Sequence, residues 1–412
     1  MKSAHGHVTP KEDVTLTHVE AGSPMGELLR RYWQPVALSD ELGDLPKPVR
    51  IFGEDLVVFR TKEGKVGCLD PHCAHRGASL EFGRIEQNGI RCCYHGWLYD
   101  TDGRVIDMAC EAAGFCEKMQ VEQPAYPTHE FGGLVFVYMG PPQNQPAFPL
   151  YDVFAPTSHD VVLRGMKIWG DYSIGYVKDC NWLQHYENIV DPWHLLILHQ
   201  AISGEQFKGA MMGGMPRIVF EKTTLGVRYN LVRDLPNGNR FIRHAEAVLP
   251  NIFLVPNLHD LGTQPKRKDR CSEMTWCMPI DNEHITAFSI VAWPAENGAP
   301  KKDWRPRTDT VLDIRPATIN RPYEERQRRP DDLEAQESQR AIAVHALENL
   351  GMTDIGIVML RKLLRDQLAR LEQGEDPINT VRGAAAKQAI ETHAWNTILS
   401  PEEAARHRDE DL

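Results

Sequence analysis

Residues 91–97 read "RCCYHGW", which sets Cys92, Cys93 and His95 almost side by side. Thiols and an imidazole this close have three ordinary uses: a disulfide, a structural zinc, or an iron–sulfur centre. A matching stretch lies upstream, "DPHCAHRGASL" (70–80), with Cys73 and His75 two places apart. Each stretch therefore offers one thiol and one imidazole, spaced C-x-H in the first and C-x-x-H in the second, with a glycine just beyond at 77 or 96.

Composition narrows the choice. With 412 residues the chain has room for two domains, each with its own core. A hydrophobic fraction of 42% and a charged fraction of 25% describe a soluble globular protein. The net charge of −11 argues against nucleic acid or an anionic membrane surface as the main partner. Apolar runs such as "GGLVFVYMG" (132–140) are too short to cross a bilayer, and the opening "MKSAHGHVTPKEDV" lacks the apolar core of a signal peptide. A cytoplasmic location is expected. In that reducing compartment, with an odd total of nine cysteines, a disulfide is the weakest of the three uses.

The pattern of elements predicts an α+β chain with a boundary near residue 150. Residues 1–150 read as a β-rich domain behind an amphipathic helix, "MGELLRRYWQPVAL", ending at Pro35. Hairpin signals occur in "VRIFGEDLVVFRT" (49–61) and "WLYDTDGRVI" (97–106), with further strands at "KVGCL", "GIRCCY" and "GGLVFVYMG". Proline-rich "PPQNQPAFP" (141–149) reads as a linker. Residues 151–412 mix helices with an antiparallel sheet, the strands including "RIVFEKTT", "VRYNLVRD" and "ITAFSIVAW". Long helices are expected over 333–350 and 354–374, and a loosely held charged tail over 400–412.

The first constellation is Cys73, His75, Cys92 and His95. Zinc accepts four tetrahedral N/S ligands, but its fingers more often pair Cys with Cys and His with His. In a Rieske-type [2Fe–2S] centre two thiolates hold one iron and two imidazoles the other. One Cys and one His from each of two loops supply that set, and the glycines let each loop backbone come close. Zinc stays open as the alternative. Cys93 reads as a buried small hydrophobe, and Trp97 as a cover over the loop or a core residue.

The second constellation lies in "ENIVDPWHLLILH" (187–199). His194 and His199 flank an apolar run, with Asp191 one turn earlier, and such groups are costly to bury unless paired or metal-bound. Five residues apart, the two histidines are about 140° from alignment on an ideal helix, so joint ligation requires a locally widened, π-type turn. Pro192 makes an irregular start to the segment expected. Two histidines and a carboxylate are the facial triad of non-haem iron(II) oxygenases.

With both constellations in hand, the chain resembles the catalytic α subunits of Rieske non-haem iron ring-hydroxylating oxygenases, in their phthalate-dioxygenase-like branch. "CAHRG" and "CCYHGW" are similar to the family's two cluster loops. Asn188, Asp191, His194 and His199 match its N-x-x-D-x-x-H-x4-H motif, and the resemblance covers roughly residues 24–375. It implies an N-terminal all-β Rieske domain followed by a catalytic domain in which helices cover an antiparallel sheet. Cys73, His75, Cys92 and His95 become the ligands of one [2Fe–2S] cluster. His194, His199 and, by the match of "RRPDDLEAQESQ", Asp332 become ligands of one mononuclear iron(II), with Asp331 the close rival. Asp191 is implied as a bridge between cluster and iron across the interface of a homotrimer or dimer of trimers, and Asn188 as a residue beside the iron. The family uses O2 on small aromatic substrates, by hydroxylation or oxidative O- or N-dealkylation. No G-x-G-x-x-G is present, so NAD(P)H is expected to act through a separate flavin and iron–sulfur reductase, with or without a ferredoxin. A carboxylated substrate calls for an arginine, and Arg217, Arg228, Arg233 and Arg243 all lie in the expected catalytic sheet. "GAMMGGMP" (209–216) reads as a pocket-covering loop or an ordinary connection. An electron-transfer protein without a catalytic iron is the competing reading.

Overall fold

The structure, a computed structural model, describes residues 6, 8–155, 160–167, 177–204, 209–211, 214–256, 261–301 and 321–407. Two short helices come first, α1 (Val14–Thr17) and α2 (Pro24–Leu29). Ser23 caps α2 by accepting the Gly26 amide, and Pro24 takes the first helical position. The helix stops at Leu29 rather than Pro35. Trp33–Leu38 instead forms β1, which pairs with β10 (Leu134–Tyr138), because aromatic and branched residues there suit a half-buried sheet. Pro35 is tolerated because β1 is an edge strand with a register shift between Pro35 and Ala37.

Three small sheets make up the first third of the chain. β1, β10 and β9 (Thr128–Phe131) form one, and β2 (Lys47–Ile51), β3 (Glu54–Arg60) and β4 (Val66–Leu69) the second. The third holds β5 (Arg84–Ile85), β6 (Ile90–Arg91), β7 (Trp97–Tyr99) and β8 (Val105–Met108), followed by a helical turn α3 (Phe115–Met119). Both expected hairpins form. The strand expected over 89–94 shrinks to β6, because the chain turns away at Cys92 to bury its thiol. At the β2–β3 turn Phe52 and Gly53 take φ of 53° and 75°. Phe52 is fully buried there, and its amide donates to the Pro279 carbonyl, so this hairpin tip plugs into the second half of the chain.

That second half is built on one antiparallel sheet. Its strands are β11 (Val161–Lys167), β12 (Arg217–Lys222), β13 (Gly226–Asp234), β14 (Arg240–Val248), β15 (Ile252–Leu254), β16 (Lys266–Arg270), β17 (Glu273–Pro279), β18 (Ile285–Glu296), β19 (Ala299–Pro300) and β20 (Trp395–Leu399). The main path runs β11-β18-β17-β15-β14-β13-β12. The helices of this half are α4 (Trp182–Asn188), α5 (His194–Leu196), α6 (Tyr323–Arg328), α7 (Asp332–Glu337), α8 (Ile355–Glu372) and α9 (Pro401–Arg406), of which α4, α8 and α9 pack on strands of the sheet. α8 forms as the sequence predicts and buries Leu360, Leu363, Leu364 and Leu368. At Gly356 a Cβ would lie 2.4 Å from the Val190 carbonyl oxygen, so only glycine lets α8 touch the turn that leads to Asp191.

Two further expectations fail. The helix over 333–350 ends at Glu337, because side chains of α4 take the backbone groups it needs: Gln184 binds the Arg340 carbonyl and the Ala343 amide, with Arg340 at φ 85°. The tail is held through residue 407. Ser400 and Glu403 make a capping box at the start of α9, and β20 anchors the segment to β14.

Candidate cluster and metal centres

Cys73 and His75 lie in the β4–β5 loop, and Cys92 and His95 in the β6–β7 loop. Each loop folds back on its glycine: the Gly77 amide donates to the Cys73 carbonyl (2.8 Å) and the Gly96 amide to the Cys92 carbonyl (3.2 Å). Both glycines take φ near +75°, and this left-handed backbone explains the residue type better than crowding does. At Gly77 a Cβ would meet nothing within 4 Å. Cys73 and Cys92 are each 3% exposed, with their free thiols next to one another, while the His75 and His95 rings stand 4.5 Å apart. Thiol thus faces thiol and imidazole faces imidazole across the two loops, the sorting that two irons need. A single zinc would draw all four ligand atoms to one point. Among the described residues only His194, His199 and Asp332 converge within 4.8 Å. His75 Nδ1 is buried with no partner, an orphan that suits a metal ligand.

Trp97 stacks on His75 at 4.6 Å and 7° between planes. Cys93 is exposed, not the buried hydrophobe expected, because the turn that brings Cys92 inward sends its neighbour out. Sequence reasoning missed three supporting residues. Tyr99 places its hydroxyl 2.9 Å from Cys73 Sγ. Buried Gln123 accepts from the Ala74 amide and donates to the Asp70 and His72 carbonyls, holding the first loop. Arg91 binds the Gly96 carbonyl, Asp107 and Glu86, holding the second. Arg91 and Tyr99 flank the quoted stretch, whereas nothing near Gln123 in sequence marks it.

The second centre follows α4. The chain breaks at Asp191–Pro192, restarts at His194 in α5, and widens into a π-helix over Ile197–Ile202 that carries His199, as the five-residue spacing predicts. His194 Nε2 lies 3.7 Å from Asp332 Oδ1, and His199 Nε2 3.4 Å from Asp332 Oδ2. Behind them, His194 Nδ1 is 3.7 Å from Asp191 and His199 Nδ1 3.6 Å from Asp331. Asn188 donates to Asp332 Oδ1 at 3.2 Å. Asp331 caps α7, accepting the Asp332 amide at 2.8 Å, so the geometry groups Asp332 rather than its neighbour with both histidines. Burial pushes the Asp331 carboxyl up, reinforced by Asp332. Burial also acts to raise Asp332, but His199 and His194, with Lys178 beyond, hold it far below the usual carboxylate range. A cavity of about 430 Å³, lined by Gln184, Asn188, Asp191, His194 and Gln336, opens beside this centre.

The Rieske [2Fe–2S] domain model matches residues 32–127. The α subunit of phenoxybenzoate dioxygenase from Ectopseudomonas oleovorans is 40% identical over 384 residues, 91% of this chain and 89% of that protein. The chain belongs to the Rieske ring-hydroxylating oxygenase α subunits. The oxygenase subunit of a tert-butanol monooxygenase and tert-amyl alcohol desaturase from Aquincola tertiaricarbonis is also 40% identical, across 92% of this chain and 81% of its own. Phthalate 4,5-dioxygenase oxygenase subunit from Pseudomonas putida is 33% identical, covering 90% and 89%. Among solved structures, dicamba monooxygenase shares the fold at a TM-score of 0.58 and 17% identity, over 84% of this chain and 99% of that one.

In this oxygenase α subunit the four arginines separate by sheet face. Tyr229, Leu231 and Arg233 of β13 share a face with Phe241, Arg243 and Ala245 of β14. Most of these apolar residues pack in one cluster with Met211 and with Leu195, the neighbour of His194. Arg217 and Arg228 lie on the opposite face, paired with Asp234 and Glu221, which removes them as pocket residues. Arg243 is fully buried and bonded to Tyr229, Asn396 and the Pro256 carbonyl. Arg233 is 2% exposed, donates to the Met211 carbonyl, and leaves Nε without a partner; burial alone pushes its pKa down, and no carboxylate among the described residues pairs with it. The "GAMMGGMP" stretch forms a 3-10 turn at Gly209–Met211, and residues 212–213 lie outside the described set. None of the described helices is long and apolar enough to cross a membrane.

Proposed function

We propose that this α subunit uses dioxygen and electrons from a separate reductase to hydroxylate, or oxidatively O- or N-dealkylate, a small aromatic molecule. The observation that carries the reading is the convergence of His194, His199 and Asp332 within 4.8 Å in a chain that also has a Rieske domain. In this reading Cys73 and Cys92 hold one iron of the cluster, His75 and His95 the other, and His194, His199 and Asp332 hold iron(II). When bound, the cluster supplies single electrons and the iron(II) supplies open positions for dioxygen. The protein's own part is orientation: Asp191 aligns His194 from behind and Asn188 steadies one Asp332 oxygen. Asp191 also meets a neighbour's cluster histidine in a homotrimer or dimer of trimers. A flavin and iron–sulfur reductase, directly or through a ferredoxin, brings electrons from NAD(P)H. The division into 1–150 and 151–412 belongs to the same reading.

For the substrate, Arg233 favours a carboxylate. A buried guanidinium without an anion is costly, and a bidentate carboxylate satisfies it. Phenoxybenzoate and phthalate, in the names of two relatives, are such molecules.

Iron and acid-labile sulfide per chain test the reading, together with EPR of the reduced protein. Roughly three irons to two sulfides with a Rieske signal is the expected result. His194→Ala should lose turnover and about one iron while keeping the cluster spectrum. Normal turnover by that variant would remove the second centre from the reading.

A further inference from the structure

Asp332 opens a helix of only six residues, α7 (Asp332–Glu337). So short an element has little rigidity of its own, and a small rotation would swing its first carboxylate away from His194 and His199. Something outside the helix has to fix its rotation. Gln336 follows Asp332 by four residues and so lies on the same face. It is 2% exposed, and its side chain meets two groups, Lys178 just before α4 and His185 on α4. Lys178 Nζ donates to Gln336 Oε1 at 3.1 Å, and His185 Nδ1 lies 2.8 Å from the same oxygen.

The Lys178 contact fixes the orientation of the amide. An ammonium only donates, so the carbonyl end of the amide must face Lys178. A proton on His185 Nδ1 lets the ring donate to that oxygen as well, and Lys178 Nζ also lies 3.4 Å from Nδ1. Burial and the Lys178 charge push His185 down to about 3, so the ring is neutral and has one proton to place. Gln336 Nε2 points the other way, buried and without a partner, in a residue that also lines the cavity beside His194. The Gln336 backbone carbonyl accepts from Gln184 at 3.0 Å, and Asn188 reaches Asp332 itself. Residues 184, 185 and 188 of α4 therefore grip α7 at both ends, while α4 leads on to His194.

We propose that Gln336 is the positioning residue for Asp332: its amide, held by Lys178 and His185, locks the rotation of α7 so that the Asp332 carboxylate faces both histidines. This rests on the reading of His194, His199 and Asp332 as iron ligands. Gln336 does not touch the iron. Its effect is on the orientation of a ligand, the kind of support whose loss typically weakens metal binding about 10- to 100-fold.

The test uses the full-length protein carrying its cluster. Iron(II) affinity of the second centre is measured by metal content after dialysis, and the symmetry of that centre by EPR of its nitric oxide adduct. Gln336→Leu should bind iron at least about tenfold more weakly and give an altered adduct spectrum, with an unchanged cluster signal. Gln336→Glu keeps an acceptor for both Lys178 and His185 and should restore iron affinity to within a few-fold of wild type. Wild-type affinity and adduct spectrum in a folded Gln336→Leu protein overturn the proposal, as does equal loss in both variants. Should Gln336→Leu fail to fold, Gln336→Asn decides, because it keeps an amide but draws it back from its partners. Weak iron binding by Gln336→Asn beside tight binding by Gln336→Glu supports the proposal, and equal binding sinks it. A wild-type protein with no second iron at all fails the oxygenase reading instead, before any variant is compared.

Discussion

At the scale of single residues, what decides a role here is which partner a side chain lacks. Arg217, Arg228, Arg233 and Arg243 are equivalent as letters in neighbouring strands, yet Arg217 and Arg228 are paired with carboxylates and Arg233 has none among the described residues. Arg233→Gln is expected to raise KM for an aromatic carboxylate roughly 10- to 100-fold, the worth of a charge-assisted bond at a buried site, with kcat little changed. A neutral analogue of the same ring should be unaffected. Steady-state kinetics on the two substrates check this, and equal losses on both would return Arg233 to a purely structural role. The Cys73/His75 and Cys92/His95 loops were legible from spacing, because both repeat one local pattern, and spacing left zinc open beside a [2Fe–2S] cluster. Asp332 was reachable only through resemblance, since Asp331 beside it is as good a carboxylate and as good a helix cap. Gln123 and Gln336 left no trace in sequence. Their partners are remote, with Gln336 151 residues from His185, and no local pattern encodes such a contact.

At the scale of elements, pattern and context compete. The five-residue spacing of His194 and His199 correctly implied a widened helix, because two side chains reach one point only if the turn is enlarged. The helix expected over 333–350 had the right composition but lost its backbone groups to α4. β14 offers a pH test of the sheet. His244 on this strand is pushed down to about 4, first by burial and then by Arg228 and Lys268, and it bonds Asn230 while packing on Trp395. Unfolded, it would titrate near its ordinary value of 6.5. Between pH 6.5 and 4 the unfolded chain therefore binds a proton that the folded one does not. Stability falls as the pH drops through this window, by at most about 1.4 kcal/mol per pH unit from this group. Urea midpoints measured from pH 4 to 7 should fall less steeply for His244→Gln than for wild type. Parallel slopes would mean that His244 is charged in the folded state.

At the scale of the whole molecule, the two candidate centres belong to different sheets. Cys73, His75, Cys92 and His95 sit in loops of the small sheets, braced by Arg91, Gln123 and Tyr99, while His194, His199 and Asp332 come from helices of the second half. Dialysis against an iron(II) chelator should therefore remove roughly one iron in three and abolish turnover, leaving sulfide and the cluster spectrum intact. Parallel loss of both signals would mean that the centres share their stability. Sequence by itself determined the α+β class, the antiparallel strands, the two Cys/His loops and the widened turn between the two histidines, because each is written in short-range spacing that backbone geometry converts directly into shape. The tertiary structure decided which arginine is left without an anion among the described residues and where a helix-forming stretch stops, and it set Asp332, reached in sequence only by resemblance, beside the histidines. Those outcomes depend on groups that are far apart along the chain, and burial makes an unmatched donor or charge costly enough to override any local preference.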